Sequence, residues 1–97
     1  MGKFAQAIAD LDQVIRLRPA YPPAYLQRGL FNAMLEQKES ALRDFDKVLS
    51  LQPRNSQALL FRGYTLITLN RKNEAMESFR KSCEAGDPQG CKKWRVH

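Results

Sequence analysis

Residues 24–53, AYLQRGLFNAMLEQKESALRDFDKVLSLQP, decide the fold, because the same pattern begins again 34 residues later. When the chain is aligned with itself at this offset, 15 of the 63 overlapping positions are identical, whereas unrelated sequences match at roughly four. Gly29 recurs as Gly63, and Phe45 recurs as Phe79. The chain therefore contains a tandem repeat.

Each repeat is predicted to contain two helices. In the second of them, Leu42, Phe45 and Leu49 are spaced three and four residues apart, which places them on one helical face. Pro53 ends this helix, because the residue before a proline avoids helical geometry. The predicted helices are Lys3–Arg18, Pro22–Leu35, Glu39–Leu51, Ser56–Leu69 and Asn73–Ala85, followed by a short helix that begins at Asp87–Pro88. The predicted caps are Ser56 and Asp87 at helix starts and Gly86 at a helix end.

Two glycines lie in the middle of predicted helices, where each costs about 1 kcal/mol relative to alanine. Gly29 and Gly63 occupy the same position of successive repeats. Ala41 and Ala75 follow twelve residues later. We expect these small residues to face each other and to let the paired helices approach closely, which is a packing role.

The spacing resembles that of the tetratricopeptide repeat: a glycine, an alanine twelve residues on, a phenylalanine four later and a proline eight after that. The resemblance covers residues 1–85. It implies an all-α fold, an α-solenoid of antiparallel helix pairs that forms a right-handed superhelix. The sequence departs from the family at Tyr25 and Leu59, where the signature tryptophan usually stands, and at Asp87, where the repeat proline is expected.

The repeat also predicts how the chain is divided. We expect one domain over residues 1–97, in which 1–21 are the second half of a truncated repeat, 22–55 and 56–87 are full repeats, and 88–97 form a short capping helix or tail. Because the first helix lacks a partner helix, the chain looks like a piece of a longer array. Its apolar face predicts self-association through the N-terminal helix. This face comprises Phe4, Ile8, Leu11 and Ile15.

The resemblance implies that the chain binds other proteins, because extended or helical peptide segments lie in the concave groove that the first helices of the pairs form. Family members that hold a C-terminal carboxylate use groove lysines, arginines and asparagines, but the matching positions here carry no charge. We therefore expect a scaffold or adaptor whose ligand is held by apolar contacts. The candidate binding residues are Leu26, Leu30, Ala33, Gln57, Leu60, Tyr64 and Ile67. Packing between helices is the alternative role for Leu26 and Leu60, so exposure is expected above all at Leu30, Tyr64 and Ile67.

Arginines stand where the family often has leucine, at Arg28 and Arg62. Asp10 and Asp44 recur at one position of the other helix. This pattern predicts a repeated ion pair between adjacent helices. Arg62 and Asp44 are the pair that we expect to be coupled, in a structural role, with contact to a partner protein as the alternative.

Length and composition argue against an enzyme. The 97 residues include one histidine, the terminal His97, so a Ser–His–Asp or Cys–His site is excluded. The five glycines are scattered singly, which excludes a glycine-rich phosphate loop, and two cysteines cannot complete a structural zinc site. We expect no cofactor and no metal. The sequence also contains no apolar run near the ~18 residues that a membrane span needs.

The net charge of +6 supports an alternative function, in which a basic surface binds an acidic partner or nucleic acid. Residues 49–97 carry nine basic and four acidic side chains, so this surface would lie in the C-terminal half. Nucleic acid is the less favoured partner, because one tryptophan and a few bases make no stacking platform. The basic end, with Lys92, Lys93 and Arg95, is interpreted as a solvated tail or as a cap in which Trp94 and Cys91 cover the last repeat.

The two cysteines have two possible states. Cys83 aligns with Ile15 and Leu49 of the earlier repeats, so we expect it to pack as a small apolar side chain. A disulfide with Cys91 is the less favoured alternative, because it requires an oxidising compartment. The cytoplasm is the favoured compartment.

Overall fold

The computed structural model describes residues 2–95, with the side chains of residues 2–94. Over this range the chain forms helices joined by turns of three or four residues, and it contains no strand. The predicted all-α helical repeat is therefore confirmed. The helices are α1 (Gly2–Leu17), α2 (Pro22–Met34), α3 (Lys38–Leu51), α4 (Ser56–Thr68), α5 (Lys72–Glu84) and α6 (Pro88–Arg95).

Local rules account for several helix ends. The prolines at the start of α2 suit its first turn, where no backbone N–H is needed. Gly86 follows α5 with φ +102°, the left-handed geometry that glycine adopts without a steric cost. Asp87 caps α6, because its Oδ1 accepts a hydrogen bond from the backbone N–H of Gln89 at 2.9 Å. The predicted cap at Ser56 is wrong, since Asn55 is the residue whose side chain accepts from Ala58 N–H.

The helices stack in chain order. The short turns make neighbouring helices antiparallel. α2 packs on α3 and α4 packs on α5, whereas α3 lies against α4 and joins the two pairs. α2 also touches α4 directly, and α6 packs on α5 with a smaller contact to α4. The first helices of successive pairs are therefore neighbours, as a groove along them requires.

Each mid-helix glycine faces a phenylalanine of its partner helix. A Cβ atom at Gly29 would lie 2.7 Å from Phe45 Cε1, and one at Gly63 would lie 2.5 Å from Phe79 Cε1. The expectation that alanines stand opposite these glycines is corrected here: the closest neighbours are the aromatic rings. The absent side chains make room for the two rings, which are almost fully buried.

α1 is packed less tightly than the helices that repeat its pattern. None of its described residues is buried. Leu11 is half-buried, whereas Phe45 and Phe79, at the same position of α3 and α5, are 0% and 1% exposed. α1 packs on α2, where the rings of Phe4 and Phe31 lie 5.6 Å apart and Ile15 lies against the core cluster of Tyr25. The apolar face of α1 is therefore half-buried and only partly accessible.

His97, which the sequence excludes from catalysis, and the side chain of Arg95 lie outside the described residues. Among the described helices, none combines the length and the apolar character that crossing a membrane requires.

Candidate binding surface

The candidate surface is formed by α2 and α4, and we call it the groove face. Its most exposed apolar side chains are Met34, 60% exposed, and Ile67, 41% exposed. Ala33 of α2 and Tyr64 of α4 are half-buried and line one small cavity of about 150 Å³. Gln57 is exposed and Leu30 is half-buried. The structure thus brings the two predicted helices to one surface and leaves apolar atoms accessible on it.

Two of the predicted binding residues are explained by packing. Leu60 is 7% exposed and belongs to the core around Phe79 and Leu66. Its assignment to an open binding surface is therefore wrong, because a ligand cannot reach a side chain that neighbouring helices cover. Leu26 is half-buried and packs on the core cluster that contains Tyr25. For these two leucines the packing alternative stated above accounts for the contacts.

Tyr64 contacts both the core and helix α6. Its ring meets the edge of Phe79 with the centroids 5.4 Å apart, at an interplanar angle of 68°. On α6, the Lys93 ammonium lies 5.4 Å from the centroid of the Tyr64 ring, within the range of a cation–π contact. Helix α6 therefore forms a third wall beside α4. The sequence patterns of α2 and α4 alone could not reveal it.

Charge is present at the border of the groove face, although the positions predicted from α2 and α4 are uncharged. Glu36 and Lys38 line the same cavity as Ala33 and Tyr64, and Lys93 approaches from α6. Glu36 and Lys38 belong to the turn and helix start after α2, which explains why a count of groove positions misses them. The surface is apolar along its floor and charged at its edges.

On the other side of α2, Arg28 joins three helices. A residue two positions away on a helix points to a nearly opposite direction, so Arg28 faces away from Leu30. Its guanidinium binds Asp44 of α3 at 2.7 Å and Asp12 of α1 at 2.9 Å. Asn32 donates a further hydrogen bond to Asp44 at 3.1 Å. The hydrogen bond to Asp44, reinforced by Asp12, raises the pKa of Arg28 above its usual value, although partial burial acts against the charge.

The repeated ion pair exists, but its partners differ from those predicted. Arg62 binds Asp46 at 2.8 Å and donates to Ser78 Oγ at 2.6 Å; the predicted pair of Arg62 with Asp44 is wrong. The residue that repeats the role of Asp12 is Asp46. Each arginine therefore binds one residue sixteen positions before it and one residue sixteen positions after it. In the later repeat, Ser78 replaces the second carboxylate.

The state of the cysteines also differs from the favoured expectation. Cys83 of α5 and Cys91 of α6 form a disulfide, with their Cα atoms 4.4 Å apart. Gly90 makes this approach possible, because a Cβ atom there would lie 2.7 Å from the Cβ of Ser82. The sequence contains both cysteines and the glycine, but their contact depends on how α6 docks. The interpretation of the basic end as a helix against the last repeat fits this arrangement.

The acidic side chains of the described part are used in ion pairs or lie on the surface. Within residues 2–94, no group of three or more His, Cys, Asp or Glu side chains is placed to hold a metal ion. A charged cleft of about 420 Å³ is lined by the Arg28 network together with Arg43 and Lys47. Its buried carboxylate, Asp44, is neutralised by Arg28.

Comparison with known proteins identifies the family. A tetratricopeptide repeat model matches residues 34–90, more than half of the chain. The chain belongs to the tetratricopeptide repeat family. Among proteins with curated function, none matches the chain in sequence.

Solved tetratricopeptide repeat structures have the same fold. The Arabidopsis OM64 TPR domain superposes with a TM-score of 0.88 at 25% identity, covering 99% of this chain and 84% of that one. The first TPR of Spaghetti (RPAP3), bound to the HSP90 peptide SRMEEVD, gives a TM-score of 0.89 at 20% identity and covers 97% and 76%. MamA gives 0.79 at 20% identity over 81% of this chain. The chain spans 46% of the MamA chain that it matches.

Proposed function

We propose that the chain is a protein–protein interaction module that holds a segment of a partner protein on the groove face by apolar contacts. The observation that carries this proposal is the exposure of Met34 and Ile67 on neighbouring helices. Both side chains are large and apolar, and together with the cavity between Ala33 and Tyr64 they offer a row of contacts to an extended or helical segment. Membership of a repeat family whose stacked helices form extended binding surfaces supports this role.

The proposed ligand differs from the one named in the Spaghetti structures, in which three of the last four residues of the HSP90 peptide SRMEEVD are acidic. The groove positions of α2 and α4 carry no cation. Lys93 is the cation that approaches Tyr64 from α6. We therefore propose that apolar side chains of the partner supply most of the affinity, and that an acidic group next to Lys93 adds to it.

We also propose that the chain has no catalytic activity of its own. The buried carboxylate Asp44 is held by Arg28 and Asn32, so it is not available as a base. Two further proposals concern the setting. The sequence favours the cytoplasm, whereas the disulfide is typical of an oxidising compartment, so the compartment stays a prediction. Self-association through α1 also stays a prediction, supported by the partly accessible apolar face of that helix.

The binding proposal is tested with peptides selected against the native chain from a display library. The affinity of a selected peptide is then measured by fluorescence polarisation for Met34→Glu and for Ile67→Glu. Each substitution places a charge on the groove face without disturbing the core, so we expect affinity to fall by about tenfold or more, which corresponds to about 1.4 kcal/mol. Circular dichroism confirms that the variants remain helical.

Leu17→Glu is the matched control. Leu17 is 80% exposed at the end of α1, away from the groove face, so the same change of an exposed apolar side chain should leave the peptide affinity unchanged. Affinity that hardly depends on salt supports apolar contacts. Affinity that salt abolishes, and that the groove substitutions do not alter, contradicts the proposal and favours the basic C-terminal half as the binding surface.

A further inference from the structure

Helix α6 has few apolar side chains with which to hold its place on α5. It has eight residues, and a helix of this length is marginal on its own in water. Among its described residues, Lys92 and Lys93 are exposed, Cys91 is half-buried and Gly90 is buried. Trp94 is 37% exposed, so most of its surface is covered. Apart from Trp94, α6 therefore has no large apolar side chain among its described residues to hold it on α5.

Its attachment to α5 depends on three local features. The left-handed turn at Gly86 and the cap at Asp87 set the direction of the helix. Gly90 lets the two backbones come close at Ser82. The third feature is covalent: the disulfide joins Cys83 to Cys91 across this contact. It is the strongest of the three restraints.

The position of α6 matters for the groove face. Lys93 lies over the ring of Tyr64, so a displacement of α6 removes a cation and one wall from the surface that we propose to bind ligands. α5 itself is tied to the start of α4, because Ser82 Oγ donates a hydrogen bond to the Ser56 carbonyl oxygen at 3.0 Å. Hence α6 can move while α4 and α5 keep their contacts.

The disulfide is accessible to a reductant. Cys83 and Cys91 line an open cleft of about 430 Å³ together with Gly86, Pro88 and Lys92. Both cysteines are half-buried rather than buried. The cation of Lys92 attracts the anionic thiolate that attacks a disulfide.

We propose that the Cys83–Cys91 disulfide is a reversible redox lock that keeps α6 in place as the third wall of the groove face. A dithiol reductant attacks one sulfur through its thiolate, the bond between the two cysteine sulfurs breaks, and the second thiol of the reductant closes its own disulfide. The two electrons and two protons of the dithiol end on Cys83 and Cys91 as thiols. Reduction then frees α6, opens the end of the groove and weakens ligand binding. The binding part of this inference rests on the proposed function.

The size of the effect follows from the length of the closed loop. The cysteines are eight residues apart in sequence. In the chain-entropy treatment, closing a loop of this length reduces the number of conformations open to the detached helix by a factor on the order of 50. We therefore expect reduction to raise the population of detached α6 by about this factor.

Limited trypsin digestion of the full chain measures that population without using a ligand. Trypsin cleaves after Lys92 and Lys93 only when α6 opens, and when opening is fast the cleavage rate follows the open population. Cleavage after Lys47, an exposed residue of α3, is the internal reference. We expect dithiothreitol to accelerate cleavage in α6 by about tenfold or more and to leave the reference rate unchanged.

The variant Cys83→Ser/Cys91→Ser is the matched control. It should be cleaved rapidly in α6 with or without dithiothreitol, while circular dichroism shows that the other helices persist. Equal cleavage of oxidised and reduced native chain would overturn the lock. A response of the double variant to dithiothreitol would overturn it as well, because the reagent would then act elsewhere.

Peptide affinity, measured on oxidised and reduced native chain, separates this inference from the proposed function. A loss of about tenfold on reduction supports the wall. Faster cleavage without any change of affinity refutes the wall and leaves α6 as an end cap only. If no selected peptide binds in either state, the proposed function fails, and the digestion result decides the lock alone.

Discussion

Gly63 provides the sharpest test of how the helix pairs are packed. A Cβ atom at this position would lie 2.5 Å from Phe79 Cε1 and 2.7 Å from Cδ1, well inside an optimal carbon–carbon separation of about 3.5–4.0 Å. Phe79 is 1% exposed, so its ring has little space to move into. Alanine gains about 1 kcal/mol of helix propensity over glycine, whereas overpacking a core costs about 1–3 kcal/mol. Because the clash is severe, we expect Gly63→Ala to lower the free energy of unfolding by about 1–2 kcal/mol.

The assay is urea and thermal unfolding followed by circular dichroism. For a domain of this size, each 1 kcal/mol changes Tm by about 4–8 °C. Gly2→Ala is the control, because the space around a Cβ atom there is open within 4 Å and the substitution should not destabilise the chain. In a double-mutant cycle, Phe79→Leu should relieve part of the cost of Gly63→Ala, with a coupling of about 1 kcal/mol. A Gly63→Ala chain as stable as the native one, or a coupling near zero, refutes the packing argument.

Three further predictions concern other parts of the chain. Asp44→Ala should destabilise the fold by about 2–4 kcal/mol, because it leaves Arg28 without its buried partner, and double-mutant cycles should give clear coupling of Asp44 with Arg28 and coupling near zero with Arg62. Glu36→Gly should raise the free energy of unfolding by about 0.5–1 kcal/mol, since Glu36 has φ +64°. Asn70→Gly, at φ +60°, should raise it less, because asparagine tolerates this geometry. Equal effects of the two substitutions in chemical unfolding would contradict the explanation. The partly accessible apolar face of α1 should make the chain self-associate as its concentration rises, so light scattering that gives the monomer mass at every concentration contradicts that prediction.

The repeat and the helix boundaries could be predicted because they depend on short-range rules. A period of 34, prolines at helix starts and a glycine after α5 are visible in the sequence. The cap of α4 shows the limit of such rules: Asn55 and Ser56 are adjacent and both cap well, and the backbone selects Asn55.

The contacts between repeats were harder to predict. Asp10 and Asp12 both recur after 34 residues, as Asp44 and Asp46. Which of them meets an arginine depends on the rotation of the helices, since residues two apart point in nearly opposite directions. In the structure, Asp12 binds Arg28 and Asp46 binds Arg62. The period alone does not reveal this choice.

The groove face could be predicted only in part, because the exposure of a side chain also depends on how the helices pack. On α4, Ile67 is exposed as its helical spacing indicates, whereas Leu60 is covered. The contribution of Lys93 depends on the docking of α6. That docking includes a disulfide, which depends on the redox environment as well as on the sequence.

The two arginines make the order of local opening uneven along the chain. Arg28 is held by a carboxylate on each side, but Arg62 has a carboxylate behind it and the hydroxyl of Ser78 ahead. In a linear array each unit is stabilised only by its neighbours. The bond from Arg62 to Ser78 is weaker than that from Arg28 to Asp44, so separating α5 from α4 requires less free energy than separating α3 from α2. Amide protons of α2 and α3 should therefore exchange with solvent last, and those of the C-terminal pair earlier. The arginines, at a position often occupied by leucine, thus give an otherwise repetitive chain a defined centre of stability.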